Sequence, residues 1–140
     1  MFYFGKGSRE RLRGVHADLV LVAGRAITIS TVDFSAIEGA RTIEKQREYV
    51  DGGTSWTMDS RHLPFLVDGL LLAHAVDLVP WVNGSSDFDT WTHFHKIASA
   101  MKQASRELKI SVLWGGDWRS RKDGPHWYLS RRRYPKREGA

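Results

Sequence analysis

The chain predicts an α+β fold in which a small antiparallel sheet packs with about three helices. Two observations carry this. Three stretches, near residues 17–29, 42–50 and 89–108, read as helices. Short runs at 32–38, 74–79, 110–114 and 127–129 read as strands, and the two kinds mix at irregular intervals. At 140 residues, with no internal repeat and no linker, one domain spanning 1–140 is expected, its last ten residues a basic, loose tail.

Taken in order, residues 8–13 are polar and lead into a helix. Leu19, Val22, Ala26 and Ile29 then recur at helical spacing, with Asp18 near the positive end of that helix. Val32 to Glu38 reads as a strand, and Gly39 ends it. Thr42 suits the cap of helix 42–50, which Asp51-Gly52-Gly53 stops. Residues 54–61 are polar and read as a loop. Residues 62–72 are apolar but contain Pro64 and Gly69, so they are assigned to a loop with a short helical turn.

Strand 74–79 follows, ended by Pro80, and Asn83-Gly84-Ser85-Ser86 is a turn. In helix 89–108, Trp91, Phe94, Ile97, Ala98, Met101 and Leu108 form an apolar stripe read as core. Strand 110–114 runs into the turn Gly115-Gly116-Asp117-Trp118, and a polar loop leads to Asp123 and the last strand.

The balance of 41% hydrophobic and 26% charged residues is that of a soluble globular protein. No cysteine is present, so disulfides and thiolate ligands are excluded, and a metal would need His, Asp or Glu. No apolar run resembles a signal peptide or approaches the roughly 20 residues of a membrane span. Synthesis in the cytoplasm as a soluble protein is expected. A net charge of +5 and a pI near 9.7 favour anionic partners such as nucleic acid, phospholipid, lipopolysaccharide or cell wall. Much of that charge lies in Arg131-Arg132-Arg133-Tyr134-Pro135-Lys136-Arg137. No aromatic-basic module of a known recognition type accompanies it, so nucleic acid is not the expected partner.

One residue breaks the local pattern. Asp77 sits inside an apolar strand between Val76 and Leu78, where a carboxylate is costly unless something positive pairs with it. Among the histidines, His62 and His126 together with Asp77 form a donor set of the catalytic-zinc kind. Spacing alone leaves open that these are ordinary structural residues. His93 and His95, two apart on a helix, face different sides and do not form a ligand pair. No His-Glu-x-x-His occurs, which excludes the helix-borne zinc motif.

The ordered set Ser60-Arg61-His62-Leu63, Ala73-His74-Ala75-Val76-Asp77-Leu78-Val79-Pro80 and Asp123-Gly124-Pro125-His126 resembles the M15 zinc peptidases. These include D-alanyl-D-alanine carboxypeptidases and the L-alanyl-D-glutamate endopeptidases found among phage endolysins. Glu38-Gly39-Ala40-Arg41-Thr42 with Gln46, Trp114-Gly115-Gly116-Asp117-Trp118, and Phe4-Gly5-Lys6 with Val15-His16-Ala17-Asp18-Leu19 extend the likeness from about Phe4 to Leu129. The resemblance implies a Hedgehog/DD-peptidase-like fold. It implies Zn²⁺ held by His62, Asp77 and His126, Asp123 as general base, and Arg41 at the oxyanion or a substrate carboxylate. Ser60 would hydrogen-bond near the site, and Trp118 and Trp127 would wall it.

The implied activity is cleavage of the L-alanyl-D-glutamate bond of the peptidoglycan stem peptide by an endolysin. Such an enzyme would be held as a monomer in the host cytoplasm until the membrane opens, then released to the wall, with the basic tail against an anionic outer membrane. A carboxypeptidase on the same scaffold and a wall-binding domain without catalysis remain as alternatives. The sequence departs from the family in one place. His62 and Asp77 stand fifteen positions apart, further than in the family, with the extra residues at about 64–71. His74 is therefore the alternative first ligand, though residues three apart in a strand point to opposite faces.

Overall fold

The computed structural model describes residues 1–55 and 57–136. Among the described residues the order is α1 (Lys6–Arg11), α2 (Ala17–Ile29), β1 (Phe34–Glu38), α3 (Ile43–Asp51), β2 (Phe65–Val67), β3 (Leu70–Leu72), β4 (Ala75–Val82), β5 (Ser85–Ser86), α4 (Trp91–Leu108), β6 (Val112–Trp114), a 3₁₀ turn at Gly115–Asp117, and β7 (His126–Leu129). Four helices stand where about three are expected, because the polar stretch before residue 13 forms the short α1. The main sheet is antiparallel in the order β1-β4-β7-β6, with β5 hairpinned onto β4.

The core lies on one face of that sheet. Leu19, Val22, Ala26 and Ile27 of α2 and Phe94, Ile97 and Met101 of α4 close on Val76 and Leu78 of β4 and on Trp127 and Leu129 of β7. Trp91 and Leu108, at the two ends of the expected α4 stripe, are 41% and 40% exposed, since the stripe meets the sheet only along its middle. Thr42 caps α3, its Oγ1 accepting the Lys45 N–H at 3.0 Å.

Two segments differ from their predicted form. The stretch assigned to a loop with a helical turn contains the β2–β3 hairpin instead. Asp68 and Gly69 at its tip have φ of +49° and +82°, the left-handed pair of a type I′ turn. Hairpin pairing satisfies backbone groups that a helical turn would leave open. Pro80 does not end its strand, for β4 runs on to Val82. Trp81 N–H still donates to Asp33 O on the β1 side, while β7 pairs only with residues 75–77. The missing proline N–H falls where that neighbour has already left.

The hairpin also resolves the long spacing between His62 and Asp77. His74 N–H donates to Arg61 O at 2.7 Å, so the chain returns to where it departed. The extra residues are a self-paired excursion, and their closure costs little beyond the turn itself. Nor is the basic C-terminal run loose throughout. Tyr134 Oη donates to Asp18 Oδ2 at 2.7 Å, and Arg61 donates to Tyr134 O. Residues 137–140, including the arginine that closes the run, lie outside the described residues. Among the described residues no helix is long and apolar enough to cross a membrane.

Candidate metal centre and active site

Strand register sets the first pair of site residues. Asp77 lies opposite His126 in the β4–β7 ladder and opposite Glu38 in the β1–β4 ladder. Directly opposed residues share a face, so the carboxylate and the imidazole must meet. Val76 and Leu78 point the other way, into the core. A slip of one residue would exchange these faces. A bulge between Ala36 and Glu38 re-aims the end of β1, and the chain then passes Gly39.

His62 arrives from the loop before the hairpin. Its Nδ1 donates to Gly39 O at 2.8 Å, and Ser60 Oγ accepts the His62 N–H at 3.1 Å. This fixes the ring and leaves the Nε2 lone pair facing the sheet. His62 Nε2 lies 3.1 Å from Asp77 Oδ1 and 3.2 Å from His126 Nδ1, and His126 Nδ1 lies 3.4 Å from Asp77 Oδ1. Three lone-pair donors thus face one another at nearly equal edges, in largely buried ground. Tetrahedral ligands at zinc's bond lengths of about 2.0–2.1 Å stand about 3.3–3.4 Å apart. The donor set therefore fits a small divalent cation, and it could hold a metal.

Charge supports the same reading. Burial opposes ionisation of Asp77, but the two imidazoles override it and hold the carboxylate well below its ordinary range. Burial likewise opposes protonation of His62, and Asp77 outweighs it, so this imidazole titrates above its ordinary value. A cluster whose charge favours a proton on His62 also favours a cation in its place.

Asp123 borders the trio through a turn in which its carbonyl accepts the His126 N–H at 3.3 Å and its own N–H donates to Gly115 O at 3.1 Å. Burial, and next the Asp77 charge, raise its carboxyl above the usual range. A carboxylate with increased basicity beside a metal site can take a proton from water. The turn is pressed from behind. Trp114 Nε1 donates to Gly124 O at 2.7 Å, and a Cβ on Gly115 would sit 2.6 Å from Asp123 O and 3.1 Å from His126 Cβ. Gly115→Ala is therefore expected to move Asp123 and His126 together. It should lower activity more than tenfold while costing about 1–3 kcal/mol of stability. Thermal melts beside peptide hydrolysis rates check this.

Arg41 lines the cleft, its side chain only 8% exposed. Its Nε donates to Glu38 Oε1 at 2.8 Å, a second nitrogen donates to Gln46 Oε1, and the guanidinium lies 4.6 Å over the Tyr49 ring. The fully buried Gln46 is in turn held by Ser55 Oγ at 2.8 Å and by Thr57 O. The cleft, about 1200 Å³, is lined by Arg41, His62, Asp77, Asp123 and His126. Trp118 walls it, its ring 5.4 Å from that of His126. Trp127 does not. It alternates away from His126 into the core and stacks on Trp114 at 5.5 Å.

His74 takes no part in the trio. Its ring stacks on Phe65 at 4.0 Å, its Nδ1 lies 3.1 Å from Leu72 O, and its other ring neighbours are His16 and Tyr134. His93 faces Asp87, and His95 packs edge-on to Trp114. Burial first, then the charges of Arg61 and His16, lower the His74 pKa to about 4. An unfolded chain takes up this proton near pH 6.5, whereas the folded one waits until about pH 4. Stability should thus fall with acid between those values, by up to about 3 kcal/mol from this residue. His74→Phe should flatten that part of the pH–stability curve, measured by urea unfolding.

The sequence reading did not single out the supports of the site, Gly39 and Gly115, or explain the role of Gln46. Their only signal was membership of stretches resembling a known family. Comparison with known proteins agrees with the geometry. The chain is 33% identical over 125 residues to the L-alanyl-D-glutamate peptidase of Escherichia phage T5, covering 87% of this chain and 85% of that protein. Its structure superposes on that of the Serratia marcescens L-Ala D-Glu endopeptidase ChiX with a TM-score of 0.84, at 44% identity, over 96% of this chain and 94% of the other. The family model described as phage L-alanyl-D-glutamate peptidase matches residues 1–128, which takes in the trio, Asp123 and the sheet up to Tyr128, and the chain belongs to that family.

Proposed function

We propose that the protein is a zinc-dependent peptidoglycan endopeptidase that hydrolyses the bond between L-alanine and D-glutamate in the stem peptide. The observation that carries this is the triangle of His62 Nε2, Asp77 Oδ1 and His126 Nδ1, with Asp123 beside it in an open cleft. Those three residues would hold Zn²⁺, which when bound lowers the pKa of a water and polarises the scissile carbonyl. Asp123 takes the proton from the attacking water and delivers it to the leaving amine. Gly39 holds His62 in the required tautomer. Arg41, oriented by Glu38 and Gln46, faces the charge that develops on the carbonyl oxygen.

Digestion of purified muropeptides, with mass spectrometry of the new termini, tests the assignment. New N-terminal glutamate is expected. Release of free D-alanine instead would overturn it. Dialysis against a chelator should abolish cleavage, and zinc should restore it. Likeness to a phage L-alanyl-D-glutamate peptidase supports action at the cell wall as an endolysin; on this reading the enzyme would be a monomer held in the host cytoplasm until the membrane opens. The exposed cations of the C-terminal run would then meet the anionic outer membrane. Because Arg131 donates to Asp59 Oδ2 and Tyr134 is anchored to Asp18, cutting before residue 131 would disturb the fold. Neutralising Arg132, Arg133 and Lys136 is the cleaner test. Unchanged lysis of outer-membrane-intact cells would remove the tail from the mechanism.

A further inference from the structure

The cleft carries more positive charge than its own acids use. Arg41 is paired with Glu38, and Arg131 with Asp59 at 3.1 Å. Asp77 is held by the two imidazoles. The loop from Trp118 to Lys122 also lines the cleft and brings Arg119 and Lys122 to its wall. Lys122 Nζ donates to Gly116 O at 3.3 Å, a carbonyl that leaves its charge uncompensated. Asp117, the acid nearest this loop in sequence, is taken by Lys102 of α4 at 2.8 Å. Arg119 is exposed and has no ion pair or hydrogen bond among the described residues.

This surplus lines the same cleft as Asp77 and Asp123, which would repel an anionic substrate. A glutamyl residue on the leaving side of the scissile bond uses one carboxyl in its chain linkage and keeps the other free. That free carboxylate needs a cation within reach, and Arg41, held by Glu38 and Gln46, is already assigned to the carbonyl oxygen. Arg119 is the uncommitted guanidinium, and its planar fork suits a carboxylate.

Building on the endopeptidase reading, we propose that Arg119 reads the free carboxylate of the glutamyl residue, so that the enzyme distinguishes a stem peptide bearing the carboxylate from one bearing the carboxamide. The exposed arginine gains this role only once substrate covers it, since a solvated pair is worth little. Amidation of the wall peptide would then weaken cleavage without touching the reacting atoms.

The test uses the full-length, zinc-loaded enzyme and two synthetic stem peptides identical except for carboxylate or carboxamide at the glutamyl residue. Wild-type kcat/KM is expected to favour the carboxylate peptide by at least about tenfold. Arg119→Gln should bring that ratio close to one, through KM and with an unchanged melting temperature. Arg119→Lys should restore part of it, and Lys96→Gln on the far helix should leave it as in the wild type. A wild-type ratio near one overturns the proposal, as does an Arg119→Gln variant that keeps the ratio or slows both peptides equally. Failure of the wild type to cut either peptide between alanine and glutamate would instead overturn the endopeptidase reading beneath it.

Discussion

Asp123→Asn will bind zinc as the wild type does and lose between about a hundredfold and ten-thousandfold in kcat/KM, the span a positioned general base supplies. The reasoning is local. Asp123 donates no ligand atom to the trio, and its backbone, not its carboxylate, holds the turn to Gly115 and His126. The amide keeps that turn and its volume but cannot accept the water's proton. Equilibrium dialysis with zinc and hydrolysis of a stem peptide, run on the same preparation, separate the two properties. If metal content falls along with activity, Asp123 is a ligand or a structural prop, and the assignment of the base is wrong.

His62→Ala will lose both at once. It removes one of three donors and leaves Gly39 O without its partner in buried surroundings. Affinity for zinc should drop by more than the hundredfold that loss of a mere supporting partner costs, and activity at least as far. Isothermal titration with zinc measures the first, and muropeptide digestion the second. Because the charge of His62 holds Asp77 in its ionised form, the variant should also melt lower in the absence of metal. Full zinc affinity in this variant would defeat the ligand set. His74→Ala provides the contrast. With its ring stacked on Phe65 and turned away from the trio, that change should spare zinc binding.

Several elements could be read from residue patterns because their causes are local. Helix α2 begins and ends where its apolar spacing does, and α3 begins at the cap that Thr42 provides. Asp77 stands between two apolar neighbours, Val76 and Leu78, an arrangement that makes sense only if the strand hides one face and serves chemistry on the other. The hairpin at 65–72 had a local signal too, Asp68-Gly69, but its apolar residues fall on both faces. Leu66, Leu70 and Leu71 are 44%, 62% and 62% exposed, so the alternation that marks a half-buried strand is missing. Trp127 faces the core and not the cleft, and its parity in the strand says so. It neighbours His126, so the two must face opposite sides of β7.

By itself, then, the order of residues settled what interacts with near neighbours: where helices start, which turns are tight, and that one strand carries an acid it must compensate. Which imidazole answers Asp77, whether Pro80 is tolerated, and why Gly39 and Gly115 admit no side chain were decided by ladders and close approaches between segments far apart in the chain. Those contacts depend on register and on the return path of the hairpin. A ligand's partner is fixed by where two backbones cross, and a linear pattern carries no distance.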